Sequence, residues 1–225
     1  SGATVHNLLE KSVELFIWRK EEIEKVLLHE MIHTLKLDFM EYPEDLKRVF
    51  VSEFNIPNNI TLRLGEAYVE TWAVILNTIF ITFTQNTKLS KKQCKVDSRK
   101  FYDLFAMEIY FTLLQSSKIL HHFGYDCIED CENPFKSSQI NGDNFKQETS
   151  VFSYYLVKGG ILMNLDKFFK FCCTNNTRLL QFMKSSLNFR ELNKVFIDSA
   201  KNNELLERML QIQNPLEKQI IKIVY

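Results

Sequence analysis

The sequence predicts a mainly α protein with little or no sheet, and three observations support this fold class. Apolar residues recur at the three- and four-residue spacing of amphipathic helices along most of the 225-residue chain. Strand-like alternation is scarce, and only 6 glycines and 4 prolines are present to interrupt long helices. Hydrophobic residues make up 45% of the chain and charged residues 25%, which is typical of a globular protein. We therefore expect a single domain over residues 1–225.

The N-terminal part of the chain is predicted to be helical from Ser12 to Leu37, with a break near Lys20. Residues 1–3 resemble a cloning remnant, and no signal-peptide pattern follows them. Residues 38–63 contain two prolines and an Asn-Asn pair, which form turns. We expect a connector there, with one short helix at residues 45–54.

The rest of the chain is predicted to form further helices around one long loop. Two long helices are expected at residues 64–83 and 97–122, and Asp97 or Ser98 is suited to cap the second. Residues 124–148 are dense in turn-forming and polar residues, so they are predicted to form the longest loop. Further helical patterns follow at residues 147–173, 177–186, 188–201 and 203–212, and one short element is expected at 215–225.

Charge and cysteine content limit the partners and the compartment. Lysine plus arginine and aspartate plus glutamate both total 28, so the formal net charge is zero. A chain without net charge has no strong electrostatic attraction to nucleic acid or to an anionic membrane, and we expect neither as a partner. The apolar run from Trp72 to Phe83 is too short to span a bilayer. Five cysteines, two of them adjacent, fit no regular disulfide framework, which favours a reducing, cytoplasmic compartment.

The strongest functional signal is the segment His29-Glu30-Met31-Ile32-His33, which matches the pattern H-E-x-x-H on a predicted helix. Residues four apart share a helix face, so both imidazoles can bind one Zn²⁺ while Glu30 stands beside them. Zinc lowers the pKa of a bound water, and a neighbouring carboxylate can accept its proton as general base. The apolar neighbours of this motif predict that its polar side chains are buried and need a partner. We expect one Zn²⁺ per chain.

A third protein ligand is expected, because a catalytic zinc usually has three such ligands and one open position. Lys36 and Phe39 occupy the positions where metzincins carry a glycine and a third histidine, so that class is excluded. Glu66 and Glu70 lie one turn apart on the next predicted helix and face the same way. We assign Glu66 as the ligand and Glu70 as an acid that orients a ligating histidine. The spacing also permits the reverse assignment.

The set His29-Glu30-x-x-His33 and Glu66-x-x-x-Glu70 resembles the active site of the gluzincin clan of zinc metallopeptidases. The resemblance implies hydrolysis of a peptide or protein substrate, with His29, His33 and Glu66 on zinc and Glu30 as base. Gluzincins usually have a β-sheet before the active-site helix. Only 28 residues precede His29, so either the sheet is reduced or absent, or the substrate is held differently.

Two further segments, residues 66–73 and 152–155, together resemble uncharacterised zincin-like proteins of large DNA viruses. If the protein is viral, the reducing compartment is the host cytoplasm or the virion.

Three weaker candidates lie outside these motifs. Tyr154 is a candidate for stabilising the oxyanion of the tetrahedral intermediate, although both Tyr154 and Tyr155 also fit the pattern of core aromatics. Cys127 and Cys131 have a loose spacing for a second, structural zinc, which would need His121 or His122. The acidic stretch at residues 38–45 is interpreted as solvated surface, because it lacks the spacing of calcium loops.

Three interpretations of the metal motif remain open at this level. The first is a peptidase, which needs Glu30 and an open position on the metal. The second is a catalytically idle zincin fold that acts as a protein-binding module. The third is a purely structural zinc with a fourth protein ligand, in which case the activity lies elsewhere in a longer protein. The oligomeric state is not predicted.

Overall fold

The structure is a computed structural model that describes residues 2–7, 12–18, 22–38, 62–89, 97–122, 150–171 and 176–187, together with Arg48 and Ser52. Most of these residues are helical, which confirms the mainly α class. Several predicted elements lie outside the described residues, namely most of the short helix at 45–54, the long loop at 124–148, the helices at 188–201 and 203–212, and the element at 215–225. The cysteines of the suggested second zinc site lie there as well.

The chain begins with a small antiparallel sheet of two strands, β1 (Gly2–Asn7) and β2 (Ser12–Ile17). Gly2 and Ala3, interpreted from the sequence as a cloning remnant, are part of β1. Thr4 pairs with Leu15 in the register of the two strands. The first helix, α1 (Ile23–Thr34), follows and packs against both strands.

The predicted helix from Ser12 is therefore wrong in its first half and right in its second. Val13, Leu15 and Ile17 alternate along the chain, as strand residues do, but they also matched the helical spacing that continues into α1. The sheet that precedes the motif helix is small, as the sequence led us to expect.

Helix α1 ends in a turn that reverses the chain. The N–H of Lys36 donates to the carbonyl of His33, and the N–H of Leu37 donates to that of Ile32, both at 3.0 Å. This is the Schellman pair, which satisfies carbonyl groups at the end of a helix. Lys36 takes the left-handed backbone conformation, with φ of 54°, that glycine usually provides. The turn leads directly into Asp38.

Two long helices follow, α2 (Leu64–Leu89) and α3 (Ser98–His122), close to the predicted bounds. Asp97 caps α3 as predicted, because its Oδ1 accepts the N–H of Lys100 at 3.2 Å. The segment Leu64–Thr84 is long and apolar enough to cross a membrane, but 56% of its 18-residue apolar stretch is buried inside the protein. A core helix passes the same test, so length alone does not identify a span.

The chain divides into two compact units, and the boundaries fall inside helices α2 and α3. The first unit contains β1, β2, α1, most of α2 from Val69 onward, and the first part of α3 to Glu108. Its described core includes apolar residues of α1 and α2, namely Val26, Ile32, Val69, Ala73, Val74 and Ile75.

The second unit contains the first turn of α2, the end of α3 and all described residues from 150 onward. A π-helix (Phe152–Val157) leads into α4 (Lys158–Leu162), and α5 (Leu165–Phe171) and α6 (Asn176–Ser186) follow. The hydroxyl of Ser116 lies 2.8 Å from the carbonyl oxygens of both Tyr155 and Thr112, and it can donate its one proton to either. A Cβ on Gly160 would lie 2.6 Å from the Ser186 carbonyl oxygen, so this glycine lets α4 approach the end of α6.

Candidate metal centre

The two histidines of the motif lie one turn apart on α1, and their rings face each other. His33 Nε2 is 3.2 Å from His29 Nε2. The ring centroids are 5.0 Å apart and the ring planes are inclined at 66°. His29 is buried, with 9% of its surface exposed, whereas His33 is half-buried. The predicted burial of this face of the helix therefore holds for His29 and in part for His33.

Each histidine has a carboxylate at its opposite nitrogen. His29 Nδ1 lies 3.1 Å from Oε2 of Glu70, and His33 Nδ1 lies 2.7 Å from Oδ2 of Asp38. A carboxylate accepts hydrogen bonds, so each Nδ1 carries the proton in the neutral ring. The lone pair of each Nε2 then points into the space that the two rings share. This is the tautomer that a metal ligand needs.

The third candidate ligand, Glu66, lies on α2 one turn before Glu70. The helix is unbroken across the unit boundary after Tyr68, so the same element holds both glutamates. His29, His33 and Glu66 each offer one atom that could bind a metal ion. The two glutamates have different partners, because Glu70 contacts a ring nitrogen and Glu66 contacts the hydroxyl of Tyr154. This division is the one expected if Glu66 is the ligand and Glu70 orients His29.

The donor set fits a zinc ion. Two ligands about 2.0 to 2.1 Å from a tetrahedral ion are about 3.3 Å apart, which is close to the observed separation of the Nε2 atoms. Two lone pairs at this distance repel each other unless a cation or proton lies between them. Two imidazoles and one carboxylate form the ligand set of many catalytic zinc sites. Three protein ligands would leave a fourth position open.

Glu30 is held by the small sheet. The hydroxyl of Thr4 donates to Glu30 Oε2 at 2.7 Å and lies 3.2 Å from the Glu30 carbonyl oxygen. Gly2 lies against the same side chain, and a Cβ at Gly2 would come within 2.9 Å of Glu30 Cγ and Oε1. Only 5% of Glu30 is exposed. Strand β1 therefore orients the predicted general base.

Tyr154 lies in the π-helix, and its hydroxyl donates to Oε2 of Glu66 at 2.9 Å. The sequence had suggested an oxyanion-stabilising role for this residue, and the structure places it beside a candidate ligand. π-Helical turns are frequent at functional sites. Tyr155 differs from it, because its ring lies 5.5 Å from the ammonium group of Lys158.

Three residues of this site were not singled out in the sequence. Asp38 was assigned to a solvated acidic stretch, yet it contacts His33. Its position depends on the turn at Lys36, which has no glycine to signal it. Thr4 lies in a strand that was not predicted. Lys25 lies one turn before His29, and its Nζ is 3.0 Å from Oε1 of Glu70. The one-turn spacing between Lys25 and His29 is the sequence signal that could have identified Lys25 as part of this site.

The described residues define a mainly α protein with candidate metal ligands on its motif helix and on the following long helix. No protein-family model matches the chain, and no solved structure matches it. The sequence is similar to the uncharacterized protein R210 of Acanthamoeba polyphaga mimivirus, with 27% identity over 201 residues. The match covers 85% of this chain and 48% of that protein, so the chain spans about half the length of its viral relative. This similarity confirms the predicted association with viral proteins.

Proposed function

We propose that the protein is a zinc-dependent metallopeptidase that hydrolyses a peptide bond in a peptide or protein substrate. The observation that carries the proposal is the 3.2 Å approach of two histidine Nε2 atoms whose Nδ1 atoms both face carboxylates. This pairing prepares both rings to donate lone pairs to one cation. His29, His33 and Glu66 would hold the zinc, and Glu70 would orient His29.

The residues around the ligands can perform the steps of hydrolysis. When bound, zinc supplies a Lewis acid that activates water and polarises the substrate carbonyl. Glu30 accepts the proton of the attacking water at its carboxylate and passes it to the leaving amine. The hydroxyl of Tyr154 is the candidate hydrogen-bond donor to the developing oxyanion, and it would have to turn away from Glu66, to which it donates here. Thr4 keeps the Glu30 carboxylate in one orientation during these transfers.

Zinc content and cleavage are the measurements that test this proposal. We expect about one zinc per chain in the wild type, as a catalytic site requires, and loss of zinc in His33→Ala and Glu66→Ala. Cleavage of a peptide library should be abolished in Glu30→Gln, which should still bind zinc. Glu24→Gln is the matched control, because Glu24 is an exposed glutamate on the same helix. A wild type without zinc would overturn the proposal.

A second candidate function is a catalytically idle zincin-like protein that binds another protein. The burial of Glu30 favours this second candidate. A general base that is 5% exposed and accepts a hydrogen bond from Thr4 has little access to water. In that case the wild type would bind zinc but cleave no peptide. Wild-type cleavage that Glu30→Gln abolishes would exclude this candidate.

A further inference from the structure

Lys25 connects to the candidate metal centre through one carboxylate. Its Nζ lies 3.0 Å from Glu70 Oε1, and the other oxygen of the same carboxylate lies 3.1 Å from His29 Nδ1. Lys25 and His29 are one turn apart on α1, so Glu70 reaches across from α2 and joins them. The Lys25 side chain is 19% exposed and that of Glu70 is 10% exposed. The bridge is thus largely removed from solvent.

Lys25 is charged in this setting. Burial by itself would lower the pKa of its ammonium group, but the nearby carboxylates, Glu70 before Glu22, outweigh burial and raise this pKa above its ordinary value. Glu22 lies further away, with its Oε1 3.5 Å from Nζ. Glu70 is therefore the closer of these two carboxylates.

A carboxylate rotates easily about its last side-chain bond, because that torsion has broad minima. The hydrogen bond from His29 restrains one oxygen of Glu70, and the charged hydrogen bond from Lys25 restrains the other. Hydrogen bonds to charged groups are shorter and stronger than those between neutral groups. With both oxygens engaged, the orientation of the carboxylate is set.

We propose that Lys25 is a positioning residue for the metal centre. By binding Glu70 Oε1 it keeps Oε2 on His29 Nδ1, and it thereby holds the ring of the histidine ligand with Nε2 toward the metal. The inference rests on the proposed function in that His29 is taken as a zinc ligand. Glu70 had been predicted to orient a ligand, and Lys25 extends this chain of contacts by one residue.

Zinc affinity, measured by competition with a chromophoric chelator, provides the first test. Lys25→Met keeps the apolar stem and removes the charge, and we expect it to weaken zinc binding roughly tenfold, as loss of an outer contact does. Lys118→Met, an exposed lysine on α3, is the charge-matched control and should bind like wild type. Glu22→Gln removes the more distant partner and should also leave zinc affinity unchanged.

A double substitution separates positioning from general stability. Because Lys25 acts through Glu70, adding Lys25→Met to Glu70→Gln should cost little further zinc affinity. Thermal unfolding of the metal-free variants shows whether each one folds. If Lys25→Met does not fold, Lys25→Gln takes its place. Additive losses in the double variant would overturn the proposal.

The second readout does not depend on zinc. In metal-free protein labelled with ¹⁵N-histidine, the Nδ1 proton of His29 should give a slowly exchanging signal because Glu70 accepts it. We expect Lys25→Met to broaden or shift this signal and Lys118→Met to leave it unchanged. A wild type that binds no zinc would refute the proposed function, and the His29 signal would still show whether Lys25 holds the His29 ring. An unchanged His29 signal in Lys25→Met would refute the positioning role.

Discussion

At the scale of single residues, the two histidines of the motif obtain their supporting carboxylates from different sources. Helix spacing alone places His29 and His33 on one face, but Glu70 comes from α2 and Asp38 from the turn after α1. The sequence predicted the first of these partners because it lies one turn from Glu66. Asp38 was hidden in an acidic stretch, since nothing in the local pattern marks the left-handed turn at Lys36.

The contact between Asp38 and His33 leads to a prediction about metal affinity. Asp38→Asn should weaken zinc binding by about tenfold or more, because a neutral amide holds the His33 ring less firmly than a carboxylate does. Chelator competition measures this change. Asp103→Asn, an exposed aspartate on α3, is the control and should have no effect. Unchanged affinity in Asp38→Asn would contradict an orienting role for this residue.

At the scale of secondary-structure elements, strand β1 lies beside the predicted general base, a position that the sequence did not predict. Gly2 and Thr4 are two residues apart, so they face the same side of the strand, where both lie against Glu30. A bulkier residue at position 2 would displace the carboxylate. The sheet is small, yet it determines where the predicted general base lies.

Thr4→Val tests this link between strand and base. Valine keeps the branched shape of threonine but removes the hydrogen bond to Glu30, so the free energy of unfolding should fall by about 1 to 2 kcal/mol. If the protein is a peptidase, kcat should fall as well, because the Glu30 carboxylate is no longer held in one orientation. Urea unfolding and peptide cleavage measure the two effects. Thr4→Ser retains the hydroxyl and should stay near wild type in both.

The elements differ in how far the sequence predicts them, and each difference has a physical cause. Helices α2 and α3 were predicted because they are long and periodic, and Asp97 marks the start of α3, but α2 continues to Leu89, beyond its predicted end at residue 83. Strand β2 was missed because its short alternation merged with the helical spacing of α1. The π-helix was not predicted from its local pattern, and one of its contacts, between Tyr155 and Ser116 of α3, joins residues that are far apart in the sequence.

At the scale of the whole molecule, the similarity to a mimivirus protein supports the viral association but names no activity. The peptidase proposal therefore depends on the site, and the expectations of a cytoplasmic location and of no nucleic-acid or membrane partner stay predictions. The five cysteines were interpreted as reduced on count and spacing. The proposed zinc ligands come from two helices, so zinc binding must affect the stability of the folded chain as well as any chemistry.

Removing zinc should lower the thermal stability of the protein. A ligand that binds only the native state raises the free energy of unfolding by about 4 kcal/mol when its free concentration is 1,000 times its Kd. For a chain of this size, that corresponds to a rise in Tm of roughly 8 to 16 °C. Circular dichroism melts with excess zinc and with a chelator measure the difference. His33→Ala should melt at one temperature under both conditions, because it lacks a ligand. If the wild type does the same, zinc does not bind the native protein at these residues, and the metal centre itself is refuted.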